Sequence, residues 1–207
     1  MRYRPALMTA LLALPALAQN AKPAAFDEAF FDGDRRVILK ACADKARSMK
    51  PKDAEWLAEY GRAYLAALDL DAAKSAFKAA EEREPKDGKI LRRIANAWLK
   101  NGYKNEALET YDKILERDRK NKDALTDAGI DLAEVAMPQH ADKFMEALAQ
   151  EEPKDWERFL MFGKAYLGSG LRKKAAYWFA RAVTVKPDEE KIYLAISQAF
   201  AESQALL

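Results

Sequence analysis

The side chains that most often carry chemistry are scarce and scattered in this chain of 207 residues. There is one histidine, His140, and one cysteine, Cys42. A zinc site gathers several His, Cys or carboxylate ligands, and these two, far apart in sequence, do not supply them. His140 follows Pro138 and Gln139, which places it at the solvated start of a helix. Cys42 sits in the apolar run Val-Ile-Leu-Lys-Ala-Cys-Ala. A lone thiol there packs as a small, buried, inert hydrophobe, and without an intrachain partner it forms no disulfide. The acidic pairs Glu81-Glu82, Glu151-Glu152 and Glu189-Glu190 fall toward helix ends and read as solvated charge rather than as a general acid and base. No glycine loop of the phosphate-binding kind occurs; Gly102, Gly168 and Gly170 serve turns. The residues thus point away from an enzyme and imply no cofactor and no metal.

What remains is binding, and the elements that would position a binding surface are written in a period. Pro51, Pro85, Arg119, Pro153 and Pro187 are spaced 34 residues apart, and the chain has only eight prolines. Proline lacks an N–H and clashes with the preceding turn, so it stops helices. A helix stop at fixed spacing means one unit copied several times. In register the units are 54–87, 88–121, 122–155 and 156–189, with no insertion or deletion. Each proline is expected in the last turn of its unit.

Within the units, the eighth position is Gly61, Ala95, Gly129 and Gly163, and the twentieth is Ala73, Ala107, Ala141 and Ala175. Helices approach closely where small side chains meet, so these two positions are expected to face each other. Large residues recur at the eleventh position (Tyr64, Trp98, Leu132, Tyr166) and the twenty-fourth (Phe77, Tyr111, Met145, Phe179), where they would fill the space between units. Each unit therefore reads as two antiparallel helices. Asn101-Gly102 and Gly168-Ser169-Gly170 mark turns, and Pro138 is placed to open the second helix of unit three.

These units resemble tetratricopeptide repeats, whose helix-turn-helix units have this length. Gly61-x-x-Tyr64 with Ala73, Phe77 and Pro85, and Gly163-x-x-Tyr166 with Ala175, Phe179 and Pro187, carry the resemblance most fully. Trp56 falls one place early, Arg119 replaces a proline, and unit three lacks aromatics at the expected places. The fold expected is all-α, an α-solenoid of stacked antiparallel helix pairs. Residues 19–53 read as a degenerate unit whose better half is a helix from about Asp34 to Met49. Residues 190–207 read as a C-terminal capping helix, atypical as terminal units are, with Ile192, Ile196, Phe200 and Leu207 on one side.

The resemblance also implies where a partner would lie. The first helix of each unit would line a concave groove through its second, fifth, ninth, twelfth and thirteenth positions. In that mapping Arg62, Arg92 and Asn96 form a basic patch, with Arg93 or Lys100 at its margin and Leu65 beside it. Ile130, Leu160 and Leu167 form an apolar strip next to Lys164. Such a groove suits a protein or peptide segment with acidic and hydrophobic side chains. Arg92, Asn96 and Lys164 match part of the clamp by which some family members hold a carboxylate terminus, but Ile130 and Leu160 stand where polar members are needed.

The first eighteen residues read as a leader. Arg2 and Arg4 precede the apolar run Pro5 to Leu17, and Ala16-Leu17-Ala18 is a cleavage signal of the A-x-A type. The run is shorter than the roughly 20 residues of a membrane-spanning helix, so cleavage after Ala18 is expected over retention as an anchor. The leader removes two of the 35 basic residues and none of the 33 acidic ones, leaving a mature chain of net charge zero. That balance gives no reason to expect nucleic acid and permits self-association, for which the apolar C-terminal helix is the expected contact. A periplasmic or secreted interaction scaffold is the leading expectation, and a self-associating structural protein the alternative.

Overall fold

The computed structural model describes residues 26–204. The leader, residues 1–18, and the last residues, Leu206 and Leu207 among them, lie outside the described part. The described residues form eleven helices and no strand: α1 Glu28–Phe31, α2 Arg35–Met49, α3 Ala54–Ala66, α4 Leu70–Arg83, α5 Gly88–Lys100, α6 Lys104–Arg117, α7 Lys122–Glu134, α8 Pro138–Glu151, α9 Trp156–Gly168, α10 Arg172–Val185 and α11 Glu190–Gln204. From α3 to α10 they form four hairpins, each packed chiefly on itself, and α3, α5, α7, α9 and α11 form a continuous row in which each helix touches the next. The chain is an all-α solenoid.

Local sequence explains each boundary. Asp53, Asp87, Asn121 and Asp155 cap α3, α5, α7 and α9, their side chains accepting hydrogen bonds from backbone N–H groups of the first turn. A cap of this kind stabilises a helix by about 1 kcal/mol. These caps repeat the 34-residue period two places after the prolines. The prolines themselves stand after the C-cap residues Lys50, Glu84, Glu152 and Lys186. They lie in the link between units and not in the last helical turn, because the C-cap has already left the helix. The turn inside each hairpin has its own period. Leu68, Gly102, Ala136 and Gly170 all have positive φ, at 62°, 85°, 56° and 75°. Glycine adopts that conformation freely, whereas Leu68 and Ala136 do so against a steric penalty. Pro138 is the first residue of α8, where its missing N–H is not needed.

The packing sets the small eighth position against a large residue. A Cβ added to Gly61 would lie 2.3 Å from the Phe77 ring, and one added to Gly163 would lie 2.3 Å from Phe179. At Gly129 it would meet Met145 at 2.9 Å. The small eighth position of units one, three and four therefore faces the large twenty-fourth residue of its own unit. Glycine makes room for a ring to lie flat between the two helices. The large residues also meet across units, as expected: the Phe77 and Trp98 ring centroids are 4.9 Å apart. Cys42 is half-buried on α2 rather than buried; among the described residues only the single turn α1 precedes that helix.

Candidate functional site

The exposed stripe of the inner helices follows from helical phase. Residues at the second, sixth, ninth and thirteenth positions of a unit recur at i, i+4, i+7 and i+11, so they share one face. In units two to four that face lines two adjoining hollows. The larger, of 820 Å³, is bordered by Arg62, Lys89, Arg93, Asn96, Lys100, Asp123, Asp127, Glu157 and Met161, among others. The smaller, of 480 Å³, is bordered by Ile130, Glu134, Met161, Lys164 and Gly168, among others. Met161 belongs to both, so they join into one groove.

The structure sorts the residues expected in the groove into three groups. Arg62, Arg92 and Asn96 do share the larger hollow, and Ile130 and Lys164 share the smaller. Leu65, Leu160 and Leu167 do not belong to either. They are 2%, 6% and 4% exposed and sit in the hydrophobic core. The twelfth position is buried in all four units, as Leu65, Leu99, Ala133 and Leu167. It lies in the core and borders neither hollow. The sixth position was missed, and with it Met161, which is 44% exposed at the centre of the groove. Helical spacing alone carried that signal, because the sixth position continues the stripe of the second and ninth.

Arg92 is near the groove but committed elsewhere. Its Nε and Nη2 donate to the two carboxylate oxygens of Asp131 at 2.6 and 2.7 Å, and the Tyr111 hydroxyl donates to Asp131 at 2.9 Å. Asp131 is buried at 6% exposure, so Arg92 neutralises a charge inside the protein through a bidentate pair. That hydrogen bond holds the Arg92 guanidinium above its ordinary value despite burial. Burial, together with the adjacent Asp131 charge, pushes the Tyr111 phenol far up, so it stays a donor. Asp127 lies 3.6 Å from Arg92. Burial raises its carboxyl above the usual range, with Arg92 opposing and the acids Asp131 and Asp123 reinforcing the rise.

The expected basic patch is therefore mostly spoken for. Arg62 pairs with Glu59 at 2.6 Å, Arg93 reaches Glu59 and Glu55, and Arg158 binds Asp155 and Asp123. Among the described residues Lys89, Lys100 and Lys164 make no ion pair. The groove is polarised by unit: unit two presents Lys89, Arg93 and Lys100, while unit three presents Asp123, Asp127 and Glu134 around Ile130. Unit four adds Met161 and Lys164. No group of three or more His, Cys, Asp or Glu residues among the described residues is arranged to hold a metal. No described helix is long and apolar enough to cross a membrane.

The model of the family described as "Tetratricopeptide repeat" matches residues 65–127, spanning the first hairpin's end, the second hairpin and the start of the third. The same spacing of helices continues through α10. Residues 65–127 are thus similar to the tetratricopeptide-repeat family. No curated protein matches it. Among solved structures, MamA is similar at 19% identity and a TM-score of 0.46, over 78% of this chain and 94% of that one. YrrB, described as "a TPR protein with an unusual peptide-binding site", is similar at 20% identity and a TM-score of 0.45, over 86% of this chain and all of the other.

Proposed function

We propose that this chain is a non-enzymatic scaffold that holds a segment of a partner protein in the groove of its inner helices. The observation that carries this reading is the continuous groove itself, polar at one end and floored by Ile130 and Met161 at the other. Half-exposed Met161 supplies an adaptable apolar contact. Lys89 and Lys100 favour acidic side chains on the partner, and Asp123, Asp127 and Glu134 favour a basic one farther along, so charge would fix the direction of the segment. The partner is thus a segment that carries acidic, basic and apolar residues, rather than an acidic one throughout. The leader supports export to the bacterial envelope, with the mature chain beginning at Gln19. Sequencing the amino terminus of protein recovered from an envelope fraction tests that: a start at Gln19 is expected, and an intact Met1 or Arg2 would refute it. The binding reading is tested by capturing partners with the wild type and with a variant reversing charge at Arg62, Lys100 and Lys164. These side chains are exposed, so the fold should survive. Loss of specific partners is expected; unchanged recovery would place binding elsewhere.

A further inference from the structure

Among the described residues the array stops in mid-repeat at both ends, and the two ends are complementary. Helix α11 lies 34 residues after α9, so it is a first helix, and no second helix follows it among the described residues. Helix α2 lies 34 residues before α4, so it is a second helix, preceded in the described residues by only the single turn α1.

The surface of α11 is that of a first helix still waiting for its partner. Its fourth, eighth and eleventh positions are Tyr193, Ser197 and Phe200. In the four complete units the fourth position (Leu57, Leu91, Leu125, Phe159) is at most 1% exposed, and the eleventh (Tyr64, Trp98, Leu132, Tyr166) at most 5%, beneath the unit's own second helix. On α11, Tyr193 is 49% and Phe200 40% exposed, with Ser197, as small as the glycines and alanine of the other units, exposed between them.

The outer helices show which occupant fits. Between complete units they are joined by charge: Glu81 binds Lys113 and Arg117, Asp112 binds Lys143, and Glu146 binds Arg181. The last outer helix breaks this rule. Where α6 and α8 carry Asp112 and Glu146, α10 carries Ala180, and where α8 carries Asp142, α10 carries Ala176, both exposed. The positions that reach back to a preceding unit, held later in the chain by Lys143, Lys174 and Arg117, are Ala41, Ile38 and Met49 on α2, and Met49 is 72% exposed. An uncharged forward face at one end thus matches a largely uncharged backward face at the other. Lys45 is the exception on α2, with a long stem that can carry its charge to the rim.

We infer that a second copy of this chain docks head to tail, its α2 packing on α11 and α10 to complete a fifth repeat. The contact is heterologous, so it leaves both outer ends open and propagates into chains or closes only as a ring. It uses neither hollow of the groove, and it stands or falls independently of the partner reading.

Light scattering across a concentration series, on the full chain and on the chain beginning at Gln19, tests this. The wild-type mass should climb with concentration. Ser197→Arg blocks one end and Met49→Glu the other, both at exposed positions, so helical circular dichroism should be unchanged. Each variant alone should be monomeric, with the apparent dissociation constant raised about tenfold or more by a buried unpaired charge. Ser197→Ala, which copies Ala95 of unit two, should associate like the wild type. Each blocked variant keeps one sound end, so an equimolar mixture should form a 1:1 dimer and stop there. A wild type that stays monomeric throughout overturns the inference. So does a mixture that remains monomeric, or a blocked variant that assembles as the wild type does.

Discussion

Replacing Gly163 by alanine is the sharpest probe of how the repeats pack. The new Cβ would lie 2.3 Å from Cε1 and 2.4 Å from Cδ1 of Phe179. Carbon atoms in contact sit about 3.5–4.0 Å apart, so the ring must withdraw by ~1.2 Å or more. It is 5% exposed, and its neighbour Phe200 lies 6.0 Å away between ring centroids. Overpacking of a core costs about 1–3 kcal/mol. Alanine returns about 0.8–1.0 kcal/mol of helix propensity over glycine, which leaves a net loss of up to about 2 kcal/mol. Gly168, in the same helix, has nothing within 4 Å of its would-be Cβ. Gly168→Ala should therefore gain up to about 1 kcal/mol. One chemical change in one helix has opposite signs at two positions. Urea titration followed by far-ultraviolet circular dichroism reads the difference as midpoints moving in opposite directions. If Gly163→Ala stabilises as much as Gly168→Ala, the eighth position does not face the twenty-fourth, and the packing scheme is wrong.

Three further outcomes are expected. Asp131→Ala strips the buried carboxylate from Arg92 and Tyr111 and should cost about 3 kcal/mol, whereas Lys164→Ala should stay within about 0.5 kcal/mol; thermal denaturation compares them. Leu68→Gly and Ala136→Gly relieve left-handed backbone and should each stabilise by about 1 kcal/mol, read as higher melting temperatures. Glu81 is opposed by burial, but Lys113 and Arg117 hold its carboxyl below the ordinary value of 4.5. Its unfolded form takes up a proton first, so its contribution is present above pH 4.5 and is lost as pH falls through the lower folded value. Glu81→Gln should therefore flatten the acid limb of the stability profile, and an unchanged limb would show that the Glu81 pairs add nothing.

Much of the fold was legible because it is periodic. A helix stop every 34 residues names a repeat whatever its details, and α2 and the opening proline of α8 stand where the sequence puts them. The face each position presents was less legible. Small and large residues can be matched in more than one way, and only the packed pair shows Gly61 against Phe77. The groove residues divide on the same point. Arg62, Asn96, Ile130 and Lys164 lie on the exposed stripe, while Leu65, Leu160 and Leu167 are turned into the core by a rotation of one position. Arg92 looked free because its partner, Asp131, lies 39 residues away, on the next inner helix.

The central claim is that the inner groove, with Met161 at its centre, holds the partner. A photo-activated crosslinking amino acid at Met161, compared with one at exposed Lys78 on the outer helix α4, tests it most directly. The account predicts partner adducts from Met161 and none from Lys78. The same adducts from Lys78, with none from Met161, would contradict it.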